Sequence, residues 1–150
     1  MKAIIFFILV IALSYVAGQW LSQRAMDEAR NADEALVYST CDPTKQICKV
    51  DTAGNSYILQ FKEIPSALTP FVVQIKVENL QPDLIELSFD MDGMDMGYNK
   101  HRLVRGETDW QAKVILPVCS LGRNDWLLNV KMKFKNDISI TQFRFSRFKK

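Results

Sequence analysis

Three methionines, Met91, Met94 and Met96, stand within six residues in the segment Phe89 to Leu103, FDMDGMDMGYNKHRL. The chain's one histidine, His101, follows five residues after Met96. Thioether, thiolate and imidazole are soft or borderline ligands, and together they suit Cu(I). Met94 and Met96 are two apart, so an extended backbone points both to one side. Gly93 and Gly97 let the backbone turn sharply, so that Met91 folds over the pair. A turn at Tyr98 and Asn99 brings His101 within reach, and Cys119 joins from the end of another strand. The candidate metal ligands are therefore Met91, Met94, Met96, His101 and Cys119. Such a site binds or transfers an ion and needs no nucleophile or base. The competing account is packing, because methionines fill irregular gaps in cores.

An oxygen-based site fits less well. Asp90, Asp92 and Asp95 with Gly93 look faintly like a calcium loop. The EF-hand pattern wants Gly at its sixth position and Glu at its twelfth; counting from Asp90, Gly93 falls at the fourth and His101 at the twelfth. The pattern fails.

The chain has three cysteines, Cys41, Cys48 and Cys119. Cys41 and Cys48 flank the short loop DPTKQI, and outside the cytoplasm such a pair tends to oxidise. That pairing leaves Cys119 as a reactive thiol, a metal ligand, an intermolecular bridge or an inert buried group. Pairing of Cys119 with either of the others stays open, since spacing does not fix connectivity.

These residues need a frame. Ala3 to Gly18, AIIFFILVIALSYVAG, carries no charge and follows Lys2. It is short for a spanning helix, which needs about 17–25 residues, but Gln19 to Leu21 extend it and Trp20 suits a lipid–water interface. A cleavable signal peptide fits the same features. Both readings export the remainder. Residues 1–21 are thus expected to be a transmembrane anchor or signal peptide. Residues 22–36, rich in helix formers and poor in large apolar groups, are expected to be a helical linker.

Residues 37–150 read as an all-β domain. Phe71 to Val77, FVVQIKV, alternates with Val73, Ile75 and Val77 on one face. Leu127 to Phe134 alternates likewise, with Leu128, Val130, Met132 and Phe134 together. Further runs stand at Tyr57 to Phe61, Leu84 to Phe89, Trp110 to Leu116 and Ile138 to Phe148, with turn residues between them. About seven strands at this spacing predict an immunoglobulin-like antiparallel β-sandwich. Lys131, Lys133 and Lys135 sit in a basic C-terminal stretch and read as a solvated strand face guarding an edge.

Function classes narrow accordingly. A net charge of +2 implies no nucleic-acid partner by itself. No Ser/His/Asp set, no paired acids in a clear motif and no phosphate-cradling Gly loop stands in the sequence, so no catalytic residue is assigned and an enzyme is not expected. Two classes remain: a metal-binding accessory protein, and an anchored protein-interaction module without metal.

The motifs also carry a resemblance. MDMGYNKHRL followed by LPVCSLGRNDW, with Cys41 and Cys48 upstream and Trp126 downstream, resembles a family of small membrane-anchored proteins of Gram-negative bacteria. That family shows a paired-cysteine segment, a GMDMGYN-like turn and an LPxC segment. It is similar in turn to YtkA-like and FixH-like domains, immunoglobulin-like periplasmic modules, some of which sit beside copper handling and oxidase assembly. The resemblance implies a single-pass inner-membrane protein with its C-terminal domain in the periplasm. It also implies an accessory role with a copper link, while a periplasmic protein partner is the expectation of the interaction-module reading. The sequence departs from better-known periplasmic copper chaperones in holding one histidine rather than several.

Overall fold

The computed structural model describes residues 15, 18–19, 36–52, 55–79, 81–94, 96, 99–135 and 137–146. The chain divides into two units, 1–34 and 35–150. In the first, Tyr15, Gly18 and Gln19 are helical, and the Gln19 amide donates to the Tyr15 hydroxyl one turn away at 3.0 Å. Among the described residues no helix is long and apolar enough to cross a membrane. The expected anchor and linker lie almost wholly outside the described residues, although Leu36 already belongs to the first strand.

The second unit is all-β. Its strands are β1 (Leu36–Ser39), β2 (Cys48–Thr52), β3 (Asn55–Phe61), β4 (Phe71–Val77), β5 (Leu84–Asp90), β6 (Lys100–Arg102), β7 (Val104–Arg105), β8 (Trp110–Val114), β9 (Asp125–Lys133) and β10 (Ile138–Ser146). They form two five-stranded sheets, ordered β1-β10-β9-β5-β6 and β2-β3-β4-β8-β7. Every pairing is antiparallel except β1 with β10, where Leu36 sits opposite Ile140. The expected count of about seven becomes ten described strands. All four that the alternation pattern misses, β1, β2, β6 and β7, are sheet edges.

Alternation dictates the core. Phe71, Val73, Ile75 and Val77 of β4 are buried, as are Ile85, Leu87 and Phe89 of β5 and Trp126, Leu128, Val130 and Met132 of β9. These inward faces merge into one apolar cluster shared by both sheets. At one end the sheets meet through four rings. Phe61 and Phe71 of one sheet pack edge-on at 5.2 Å, Phe61 meets Phe145 of the other at 5.3 Å, and Phe71 meets Phe89 at 6.2 Å. Edge-to-face contact suits the ring quadrupole and adds about 0.5–1.5 kcal/mol per pair beyond burial.

Two hydroxyls interrupt this apolar interior. Tyr57 of β3 and Thr141 of β10 are both almost fully buried, and among the described residues neither hydroxyl has a partner in good hydrogen-bond geometry, although the two side chains are close enough to interact weakly. Burial pushes the Tyr57 phenol well above its usual range, and the nearby Thr141 side chain only partly offsets this. Removing both hydroxyls relieves two desolvation costs at once. The double variant Tyr57→Phe/Thr141→Val should therefore unfold in urea within about 1 kcal/mol of the parent, or later. A loss of several kcal/mol would show that the hydroxyls stabilise the core.

The Cys41–Cys48 disulfide ties the loop after β1 to the start of β2. Asp42 organises that loop, accepting from the Thr44 amide at 3.0 Å and the Thr44 hydroxyl at 2.7 Å. Closing so short a loop contributes about 2–3 kcal/mol by the chain-entropy relation. Cys119 is left as the free cysteine, and it is buried.

Candidate metal centre

β5 delivers the first methionine. Met91 continues its inward face after Ile85, Leu87 and Phe89, and is 3% exposed. Asp90 pairs with Leu127 of β9, so Met91 stands level with Trp126. The chain then reverses at once. The Met94 amide donates to the Met91 carbonyl at 3.0 Å, and the two residues form a bridge. Gly93, third in this four-residue turn, has φ +69°, the left-handed geometry that a type II turn demands of that position. Met94 is thereby folded back over the core. Its position comes from this turn rather than from the extended spacing with Met96.

Cys119 arrives from residues 115–124, between β8 and β9. A second tight turn holds it, with the Gly122 amide donating to the Cys119 carbonyl at 3.0 Å and Gly122 at φ +69°. Cys119 is 4% exposed. Its thiol donates to the Met94 sulfur at 3.6 Å, across 25 residues of chain. Met94 and Met96 are partly buried against the same core cluster.

The structure therefore joins Met94 and Cys119 directly, with Met91 tied to Met94 through the turn and Met96 packed on the same core. His101 is engaged elsewhere. It lies on β6 opposite Leu87. Its Nε2 bonds the Asn99 side-chain oxygen at 3.0 Å, and its ring packs edge-on to Phe89 at 6.0 Å. The nearby carboxylates diverge from the sulfurs. Asp90 accepts from Ser88 and Asn129, and Asp92 pairs with Arg144 at 3.5 Å; Asp95 lies outside the described residues. Among the described residues, no three of His, Cys, Asp and Glu gather as a metal-holding group.

Two residues absent from the expected site also meet it. Arg123 donates to the Asp92 carbonyl inside the methionine turn at 2.8 Å. Trp126 is buried at the level of Met91, and among the described residues its indole N–H has no hydrogen-bond partner. Both lie in the LPVCSLGRNDW segment, but neither carries a soft donor, so residue type does not mark them as part of the site.

Burial holds the His101 imidazole below its ordinary pKa. The unfolded chain then binds a proton more readily than the folded one, so stability falls as pH drops from about 7 toward 5. His101→Gln should flatten that part of the profile in denaturant titrations at both pH values. An unchanged slope would assign it to other groups.

The sulfur pair suits a soft ion. Two sulfurs that share one metal at about 2.3 Å stand roughly 3.3–4.0 Å apart, and the observed 3.6 Å falls within that interval. Thiolate and thioether together are the donors that select Cu(I).

No protein-family model matches this chain, and no curated protein matches it either. One solved structure, an engineered protein, is similar at 9% identity and a TM-score of 0.48. The likeness covers 63% of this chain and spans 20% of that chain's length.

Proposed function

We propose that this chain is a membrane-anchored periplasmic accessory protein with an immunoglobulin-like domain that binds Cu(I), linked to copper handling or oxidase assembly. The observation that carries the reading is the contact of Cys119 Sγ with Met94 Sδ at 3.6 Å, in a loop pair that buries the thiol. The Cys41–Cys48 disulfide supports an oxidising compartment. The ligands are Cys119 and Met94, with Met91 and Met96 as further thioethers and His101 as a ligand only if it leaves Asn99. The protein supplies binding, and no residue is cast in a catalytic role. Titration of the purified chain with Cu(I) against a competing chelator tests this. One ion per chain held tighter than about 1 μM is the expected result; no binding at that level would end the copper reading.

One observation favours a second reading, an interaction module without metal. Val118 and Leu121 flank Cys119 and are 55% and 73% exposed. Exposed apolar side chains beside a methionine turn also suit an adaptable protein contact. The same titration separates the two.

A further inference from the structure

The two loops that carry the sulfurs are joined by one arginine. Arg123 follows the Cys119–Gly122 turn and reaches across to the methionine turn, where its Nη1 donates to the Asp92 carbonyl at 2.8 Å. Its Nε donates to Asp125 Oδ1 at 3.0 Å, and its Nη2 pairs with Asp125 Oδ2. Asp125 is the first residue of β9, so the guanidinium is braced on the sheet while it grips the turn. Each loop also turns on a glycine at φ +69°, and a side-chain carbon built on either would meet nothing within 4 Å. Both turns therefore have open space around their left-handed glycines.

We propose that Arg123 is a latch: it holds the Cys119 loop against the methionine turn and gates the access of a soft metal ion to the Met94–Cys119 sulfur pair. The gating role rests on the Cu(I) reading above; the latch itself does not. In the closed arrangement Cys119 is 4% exposed, so an ion or reagent reaches its sulfur only when the loops part. The latch is partly solvated, with Arg123 and Asp125 side chains 33% and 52% exposed, so opening is a local event rather than global unfolding. The second ion pair on the turn, Arg144 with Asp92, is longer at 3.5 Å and 70% and 67% exposed, and among the described residues Arg144 bears on the latch only through its charge near Asp125.

The test uses the metal-free full chain. With Cys41 and Cys48 in a disulfide, Cys119 is the single thiol that a reagent such as dithiobis-nitrobenzoate can report. Arg123→Gln should raise its reaction rate about tenfold, as expected for losing a charge-assisted hydrogen bond that holds a loop closed. Arg123→Lys, which keeps charge but loses the fork, should fall between the two. Arg144→Gln should stay within about twofold of the parent. Salt at about 1 M should raise the parent's rate by screening the Arg123–Asp125 pair. A rate in Arg123→Gln equal to the parent's would overturn the latch. So would an equal rise in Val77→Ala, a core variant at the far end of β4, matched for loss of Tm. Cu(I) uptake is then timed in the same variants. Faster thiol reaction without any copper binding keeps the latch and removes the copper reading. Copper binding with unchanged thiol rates does the reverse.

Discussion

Cys119→Ala is expected to weaken Cu(I) binding by at least about 100-fold, and Met94→Leu by about 10–100-fold, with the fold intact in both. The thiol is the stronger ligand, since it binds as an anion, whereas the thioether is neutral. Leu matches Met closely in volume, so the second change removes the donor and little packing. Met96→Leu should have the smaller effect, because Met96 is only placed on the same core, while Met94 touches the thiol. Chelator competition reads the affinities, and circular dichroism confirms the fold. If Cys119→Ala and Met94→Leu both bind as the parent does, any copper site lies elsewhere in the chain.

Phe89→Ala is expected to cost about 3–5 kcal/mol in chemical denaturation, the ordinary range for deleting a buried ring. Phe89 is fully buried and touches Phe71 across the sheets, Phe145 within its own and the His101 ring at the edge. It is also two residues before Met91, so the cavity opens directly beneath the methionine turn. Loosening there should raise the Cys119 thiol rate more than an equally destabilising change at the opposite end of the sandwich. Phe89→Leu fills most of the space and should cost much less. A cost below about 1 kcal/mol for the alanine variant would show that this end of the core repacks freely.

The strands that were legible in the sequence are the six central ones, β3, β4, β5, β8, β9 and β10. Each has one face against the core, and that imposes a period of two on side-chain polarity. The four missed strands are edges, with a neighbour on one side only. β6 and β7 are three and two residues long, and Lys49, Asp51, Lys100, Arg102 and Arg105 place charges on the edges of both sheets. Charge and brevity protect an edge from pairing with other chains, and they erase the pattern that would announce it. β1 escapes for another reason: its LVYS is largely apolar but short, and its parallel partner is 104 residues away, Leu36 opposite Ile140.

The candidate site was suggested by residue types, and its geometry was not legible. Met91, Met94, Met96 and Cys119 were all suggested by their soft donors. That Met94 meets Cys119 depends on a loop crossing the end of β5, which no local spacing encodes. His101 illustrates the limit. Its distance along the chain suits a ligand, yet β6 pairing sets it opposite Leu87 and gives its nitrogen to Asn99. Arg123 lies within LPVCSLGRNDW, but no local pattern singles it out, and its proposed role follows only from the turn it reaches.

X-ray absorption at the copper edge of the Cu(I)-loaded chain tests the central claim most directly. A shell of at least two sulfurs at about 2.3 Å is expected, lost when Cys119 and Met94 are replaced together. A shell of nitrogen and oxygen alone, or a sulfur shell unchanged in that double variant, would contradict it.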